Sequence, residues 1–215
     1  MTFGYVGPEL AGILRRPERQ IVEHQLAASL TDLPEVRRLG LRLSKLLTPR
    51  ADVTVKAEGE SIRFVLGAED ALDDGLVDRH DLAAEGNMTN MPPGYYAREI
   101  SGPSLTGTAR LHAPVPRIGT IADLRLEFDH GRITNWSSEV DPRWLTQLVK
   151  TTPKRRRRLT AVAIGLNPSL REGYGQDRLM EGAVTFYGMF QGTTHRATLA
   201  VNGRVVVDRG SMVHP

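Results

Sequence analysis

The sequence predicts an α+β fold: one continuous body built on a large, mostly antiparallel or mixed β-sheet with a few flanking helices. Three observations carry that expectation. Short runs of alternating apolar and polar residues recur along the chain, joined by tight turns such as Glu58-Gly59-Glu60, Asp129-His130-Gly131 and Asn202-Gly203. Two segments near the N-terminus instead place apolar residues at helical spacing. No internal repeat and no flexible linker divides the 215 residues, a length that suits one body with ample core.

Residues 18–30 carry Ile21, Val22, Leu26 and Leu30 on one helical face. Residues 33–47 are clearer. Leu33, Val36, Leu39, Leu43, Leu46 and Leu47 form the apolar stripe, Arg37, Arg38, Arg42 and Lys45 lie outside it, and Pro49 ends the pattern. Residues 51–56 alternate as a strand and pair back onto residues 61–66 as a hairpin. The acidic, weakly patterned residues 68–86 are expected as a loop with a short helix. Asn90-Met91-Pro92-Pro93-Gly94 reads as a rigid turn, because proline fixes φ and glycine permits the reversal.

From there the pattern is β-rich. Strands are expected over residues 107–112, 118–128 and 132–137, with Leu124, Leu126 and Phe128 marking a buried face. Asp141 and Pro142 are placed to cap and open a helix running through Val149. Residues 159–166, 182–190, 195–201 and 204–207 complete the strands. The organisation expected is an N-terminal helical and hairpin segment, residues 1–86, packed on a β-rich core of residues 87–215.

Composition excludes several chemistries. With 40% hydrophobic and 25% charged residues the chain reads as a soluble globular protein, and no apolar run approaches a membrane span. The first twenty residues lack a basic region followed by a long apolar core, so no signal peptide is read and a cytoplasmic protein is expected. The absence of cysteine removes disulfides, thiolate metal sites and thiol nucleophiles. The net charge of +3 depends on the run Lys154-Arg155-Arg156-Arg157-Arg158; without those five cations, 23 basic residues face 25 acidic ones. That run is either a solvated loop or a contact for an anionic partner. With no aromatic residues interleaved, nucleic acid is not the expected partner.

The segment Gly192-Thr193-Thr194-His195-Arg196-Ala197 is informative for what it lacks. A histidine followed two residues later by a carboxylate puts two metal ligands on one face of a strand, because alternate side chains share a face. Here the second position is Ala197. There is also no Gly-x-Ser-x-Gly elbow, no phosphate-binding Gly-x-x-x-x-Gly-Lys and no Gly-x-Gly-x-x-Gly. His80-Asp81 and Asp208 belong to no recognisable pattern.

Several stretches resemble the M29 family of metal-dependent aminopeptidases, the aminopeptidase T type. They are residues 90–94, 122–134, 161–168 (Ala-Val-Ala-Ile-Gly-Leu-Asn-Pro), 193–195 and 201–210 (Val-Asn-Gly-Arg-Val-Val-Val-Asp-Arg-Gly), with residues 33–57 similar to the segment before the family's catalytic part. The resemblance spans residues 33–212 of a chain much shorter than a full member. It implies an aminopeptidase T-like fold, a dimer, and two divalent metals held by glutamates, histidines and an aspartate. Carried over position by position, the first glutamate falls on Tyr95, the second on Ala161, the first histidine near Thr185, the second histidine on His195 and the aspartate on Ala197. Alanine and threonine cannot offset the repulsion between two cations, so the family's dinuclear centre is expected to be lost, with no metal and no cofactor. A ring-cleaving dioxygenase group of related fold uses the same His-x-Asp setting, and Ala197 counts against that version too. His112, Glu99, Glu127 and Glu139 are the alternative ligands weighed for a shifted site.

His195 is the candidate catalytic residue, a general acid/base near neutral pH, its structural alternative being a hydrogen bond within the sheet. Tyr95, Tyr96, Thr194 and Arg196 are the candidate substrate contacts, the tyrosines either lining a pocket or packing beside the Pro-Pro turn. The expected function is peptide binding by a degenerate, metal-free aminopeptidase-like protein, with a proton-transfer or cyclisation step on the bound peptide. Reduced relatives that act on ribosomally made precursor peptides suggest that substrate class. The alternatives are a metal-dependent hydrolase or mononuclear iron dioxygenase with shifted ligands, and a structural or assembly subunit.

Overall fold

The computed structural model describes residues 2–3, 7–77, 90–115, 119–138, 143–189, 191–194 and 196–213. After the short strand β1 (Thr2–Phe3) come three helices, α1 (Pro8–Leu14), α2 (Glu18–Ser29) and α3 (Leu33–Leu46). The strands β2 (Asp52–Ala57), β3 (Glu60–Asp73), β4 (Asn90–Met91), β5 (Tyr95–Ile100), β6 (Thr106–Val115), β7 (Gly119–Asp129) and β8 (Arg132–Ser137) lead to helix α4 (Arg143–Thr151). The chain ends on β9 (Leu159–Gly165), β10 (Val184–Gly188), β11 (Gly192–Thr194), β12 (Thr198–Val201), β13 (Arg204–Asp208) and β14 (Ser211–Met212).

Among the described residues, twelve of these strands form one sheet in the order β14-β13-β12-β2-β3-β5-β9-β10-β11-β6-β7-β8, and every pairing in it is antiparallel. β3 also pairs with β6, Ile62 opposite Gly107 and Arg63 opposite Thr106. The pairings β3-β5-β9-β10-β11-β6-β3 therefore close into a ring. Side chains alternate across it. Ile62, Phe64, Leu66, Ile100, Ile164 and Phe186 are all at most 2% exposed, and the Phe64 and Phe186 rings meet edge to face at 6.1 Å across the interior. β7 adds Leu124, Leu126 and Phe128 to the same core.

The alternation read from the sequence thus finds its partners, with three differences. The loop and short helix expected over residues 68–86 begin instead as strand, since β3 runs on to Asp73 with Ala71 opposite Ala97 and Leu72 opposite Tyr96. Cross-strand partners override weak local patterning there, and residues 78–89 lie outside those described. The strand expected over 195–201 is divided: β11 ends at Thr194, and Arg196 at φ 52° precedes the shorter β12. The strand expected over 182–190 is trimmed to β10, where the register shifts at Tyr187 and Gly188. The expected helix is present as α4, its proposed cap at Asp141 and Pro142 lying outside the described residues. The β2–β3 hairpin of the N-terminal segment sits between β12 and β5, inside the sheet.

The helices are placed by specific contacts. Asp32 caps α3 by accepting from the Glu35 amide at 3.1 Å, and α3 buries Val36, Leu39, Gly40 and Leu43. A Cβ at Gly40 would collide with the side chain of Leu72, so the glycine lets the helix lie directly on the end of β3. No helix among the described residues is long and apolar enough to cross a membrane.

Ring closure has its own backbone requirement. Gly107 sits at φ 105°, and a Cβ on it would run into the Ser61 carbonyl oxygen of the paired strand. Gly107→Ala is expected to destabilise the protein by roughly 3 kcal/mol or more. Gly203→Ala, at φ 81° in an open hairpin turn with nothing within 4 Å, is expected to cost about 1–2 kcal/mol. Urea denaturation of the two variants measures the difference.

Candidate functional site

The face of the ring turned away from the core carries the chemistry. Residues directly opposite each other in neighbouring strands share a face. Tyr95 lies opposite Gly165, Ala97 opposite Ala163, and Glu99 opposite Ala161; Ala163 in turn lies opposite Thr185 and Ala161 opposite Tyr187. Tyr95, Ala161 and Thr185, the positions to which the sequence resemblance assigns metal ligands, therefore share one face within three adjacent strands. The side chains there are a phenol, a methyl and a hydroxyl. Thr185 is fully buried and its hydroxyl spends its bond on the hydroxyl of Thr193 at 3.0 Å.

The polar groups that do gather on this face come from four separate stretches. Asp73, at the end of β3, lies opposite Tyr95 and is 7% exposed; its Oδ2 accepts from Asn90 Nδ2 at 2.6 Å. Burial pushes the Asp73 carboxyl above the usual carboxylate range, the Asn90 bonds pulling the other way and the charge of Asp74 adding to the rise. The Tyr95 phenol is pushed up by burial and then by Asp73, while the cation of Arg178 lowers it. Tyr187 is likewise pushed up by burial, lowered by Arg178, and raised by Tyr95 and Asp73. Asp73, Tyr95, Arg178 and Tyr187 thus act on one another as an electrostatic cluster. Beside them, β9 presents only Ala161, Ala163 and Gly165 on this face; Ala163 is fully buried, and the Leu179–Met180 backbone lies against Gly165.

Arg178 belongs to a short 3₁₀ turn, Asp177–Leu179. The segment before it is anchored to the N-terminal helices. Arg16 stacks over the Tyr174 ring at 4.3 Å, His24 meets the same ring at 4.0 Å, and Gln25 donates to the Tyr174 carbonyl at 3.0 Å. His24 Nε2 accepts from the Arg171 amide at 3.1 Å, and its imidazole is pushed below the ordinary histidine value by burial and by Arg171 and Arg16.

Of the five residues singled out from the sequence, the four that are described do not gather at one site. Tyr95 is half-buried on the outward face. Its neighbour Tyr96 points inward, 1% exposed, donating to Asp70 Oδ2 at 2.8 Å and accepting from Arg98 Nη1 at 3.1 Å. Burial pushes that phenol up to about 12. Thr194, 2% exposed, lines a small inner void with Phe186 and Val55, its hydroxyl without a protein partner. Arg196 is exposed and packs its backbone against Gly210. His195 lies outside the described residues, as does Glu139.

The alternative ligands do not converge. His112 Nε2 lies 3.4 Å from Glu58 Oε1, Glu99 accepts from the Ala68 amide at 3.2 Å, and Glu127 pairs with Arg125 at 2.5 Å. Among the described residues no three His, Cys, Asp or Glu side chains gather as a cation site. Ala197 is fully buried within the hydrophobic core. The donor set at these positions does not fit a dinuclear centre. Sequence reasoning missed Asp73, Arg178 and Tyr187, which lie far apart along the chain with no spacing signal to join them.

No protein-family model matches the chain, and no curated protein matches it. Solved structures do. The structure of 2,5-dihydroxypyridine dioxygenase from Pseudomonas putida KT2440 aligns at a TM-score of 0.72 and 16% identity, covering 99% of this chain and 70% of that one. Wild-type AmpT from Thermus thermophilus aligns at 0.62 and 11% identity, covering 92% of this chain. The fold is aminopeptidase T-like. The chain spans 59% of AmpT's length, and at these identities the likeness concerns the fold.

Two measurements follow from this geometry. A carboxyl whose folded pKa is raised contributes stability that is present below its unfolded pKa and lost as pH rises through the folded value. Asp73→Asn keeps an acceptor for Asn90 and does not titrate. Between about pH 3.5 and about pH 7, the stability of the wild type relative to that variant is therefore expected to fall, read from urea midpoints. Restoring the missing aspartate by Ala197→Asp is expected to cost about 3–5 kcal/mol near neutral pH, because the carboxylate enters the core unpaired. A neutral or stabilising result in denaturant unfolding would show that position 197 is open to a ligand.

Proposed function

We propose that the chain binds an extended peptide on the outward face of β5, β9 and β10, without the dinuclear centre, and moves a proton on the bound peptide. The observation that carries this reading is the cluster Asp73, Tyr95, Arg178 and Tyr187, in which the two tyrosines and the neighbouring Ala161 are partly exposed. The two tyrosines offer aromatic walls with polar tips. Arg178 offers a cation for a carboxylate or carbonyl oxygen. Asp73, buried and with its carboxyl pushed above the usual carboxylate range, offers a proton donor or acceptor. His195 enters from the sequence alone, as the second proton-transfer group. Tyr96, bonded to Asp70 and Arg98, holds β5 in place rather than meeting ligand. A ribosomally made precursor peptide is the substrate class we favour.

A second reading rests on the dioxygenase likeness over 99% of the chain: a mononuclear metal enzyme acting on an aromatic ring. It requires about three protein ligands in a new arrangement, and of the ligands weighed for it Glu99, Glu127 and His112 are engaged elsewhere.

Fluorescence anisotropy with a labelled apolar decapeptide separates these readings when paired with elemental analysis. Tyr187→Ala and Tyr95→Ala are expected to weaken binding by roughly tenfold or more, with Tyr187→Phe retaining most of it. The purified protein is expected to carry no stoichiometric transition metal. Stoichiometric iron or zinc together with chelator-sensitive turnover would favour the second reading and sink the first.

A further inference from the structure

A second groove lies beside the tyrosine cluster and carries the chain's excess charge. It is an open cleft of about 340 Å³ lined by Thr152, Arg156, Arg158, Thr160, Gly188 and Met189. Lys154–Arg156 form a single 3₁₀ turn, and the backbone then runs straight into β9. Arg157 is used internally: its Nε donates to the Thr152 carbonyl at 2.9 Å, and its own carbonyl accepts from the Ile133 amide at 3.1 Å. Arg156 and Arg158, on either side of it, are exposed and make no ion pair with any described residue. Its two neighbours, Arg156 and Arg158, line the cleft together with Thr152 and Thr160, whose hydroxyls supply further polar atoms.

The cleft adjoins the tyrosine site through a single residue. Thr160 Oγ1 donates to the Tyr187 carbonyl at 3.4 Å, and the Met189 amide donates to the Arg158 carbonyl at 3.0 Å. The Tyr187 ring belongs to the outward cluster, and the next residue, Gly188, lines the basic cleft. Two guanidinium groups with no ion-pair partner among the described residues are suited to carboxylates, which they bind with charge-assisted, often bidentate hydrogen bonds. Among the described residues that line the cleft none is aromatic and two are arginines, which favours an acidic peptide over a nucleic acid.

We propose that this cleft recognises an acidic segment of the same peptide whose neighbouring residues lie against Tyr95 and Tyr187. The inference rests on the peptide-binding reading and deepens it to a substrate class: a peptide with clustered Asp or Glu residues next to an apolar stretch. Arg156 and Arg158 hold the carboxylates, and the tyrosine face takes the adjoining segment.

The test uses the full chain and three fluorescein-labelled probes. One is a decapeptide with four consecutive glutamates beside an apolar stretch, the second replaces the glutamates by glutamines, and the third is a single-stranded thymidine dodecamer. At low salt the glutamate peptide is expected to bind about tenfold more tightly than the glutamine peptide, an advantage that shrinks as salt is raised. The double variant Arg156→Ala, Arg158→Ala is expected to remove that advantage while still binding the glutamine peptide. The double variant Arg204→Ala, Arg209→Ala, which removes two exposed cations on and beside β13, is expected to leave it intact. Equal affinity for the two peptides overturns this inference and leaves the wider reading standing. Binding of neither peptide removes both. Tighter binding of the dodecamer, lost in the Arg156 and Arg158 variant, reassigns the cleft to nucleic-acid phosphate and overturns the acidic-peptide proposal.

Discussion

Closure of β3 onto both β5 and β6 is the constraint from which the rest of the structure follows. One strand serves β2 along one edge and two different strands along the other, so it has to bend and break register between Leu66 and Asp70. The bend leaves backbone carbonyls that the ladder does not use. Arg98, only 6% exposed, meets this need: it donates to the Gly67 carbonyl at 3.2 Å, the Ala68 carbonyl at 2.9 Å and Asp70 Oδ2 at 3.0 Å. A buried arginine is tolerated only when its donors are satisfied, and here the irregularity of β3 supplies the acceptors. Ring closure then decides which side chains face the core and which face outward.

That parity explains why the outward face differs so sharply from the inward one. Inward positions are large and apolar because they fill a closed space. Outward positions on β9 are alanine and glycine, which lets the Leu179–Met180 segment pack closely over Gly165 next to the half-buried tyrosines and the buried Asp73. Within this aminopeptidase T-like fold, the positions on β5, β9 and β10 that the sequence resemblance matches to cation ligands carry a phenol, a methyl and a hydroxyl. The electrostatic character of this face comes from Asp73, whose carboxyl burial pushes above the usual carboxylate range, from two phenols and from Arg178.

Much of the fold was legible because period-two alternation and turn residues are local signals. Leu124, Leu126 and Phe128, and the Asn202-Gly203 hairpin, announce themselves within a few residues. The extension of β3 through the acidic stretch was not legible, since its stability comes from pairing with β5. The candidate site was legible only in part. Tyr95 and Tyr96 cannot both face a ligand on one strand, and parity assigns the outward place to Tyr95. Asp73, Arg178 and Tyr187 are joined by topology alone. The alanines at 161 and 197, which the resemblance matches to ligand positions, could be noted from the sequence because a missing carboxylate is visible without coordinates.

The central claim is that the outward tyrosine face receives peptide without help from a metal. Fluorine NMR of protein containing 3-fluorotyrosine tests it directly, because the chain has only five tyrosines and each resonance can be assigned by substitution. After exhaustive chelation, adding the glutamate-rich peptide should shift the Tyr95 and Tyr187 resonances while that of the core residue Tyr96 stays in place. Shifts that emerge only once iron or zinc is added, or that leave Tyr95 and Tyr187 untouched, would contradict the account.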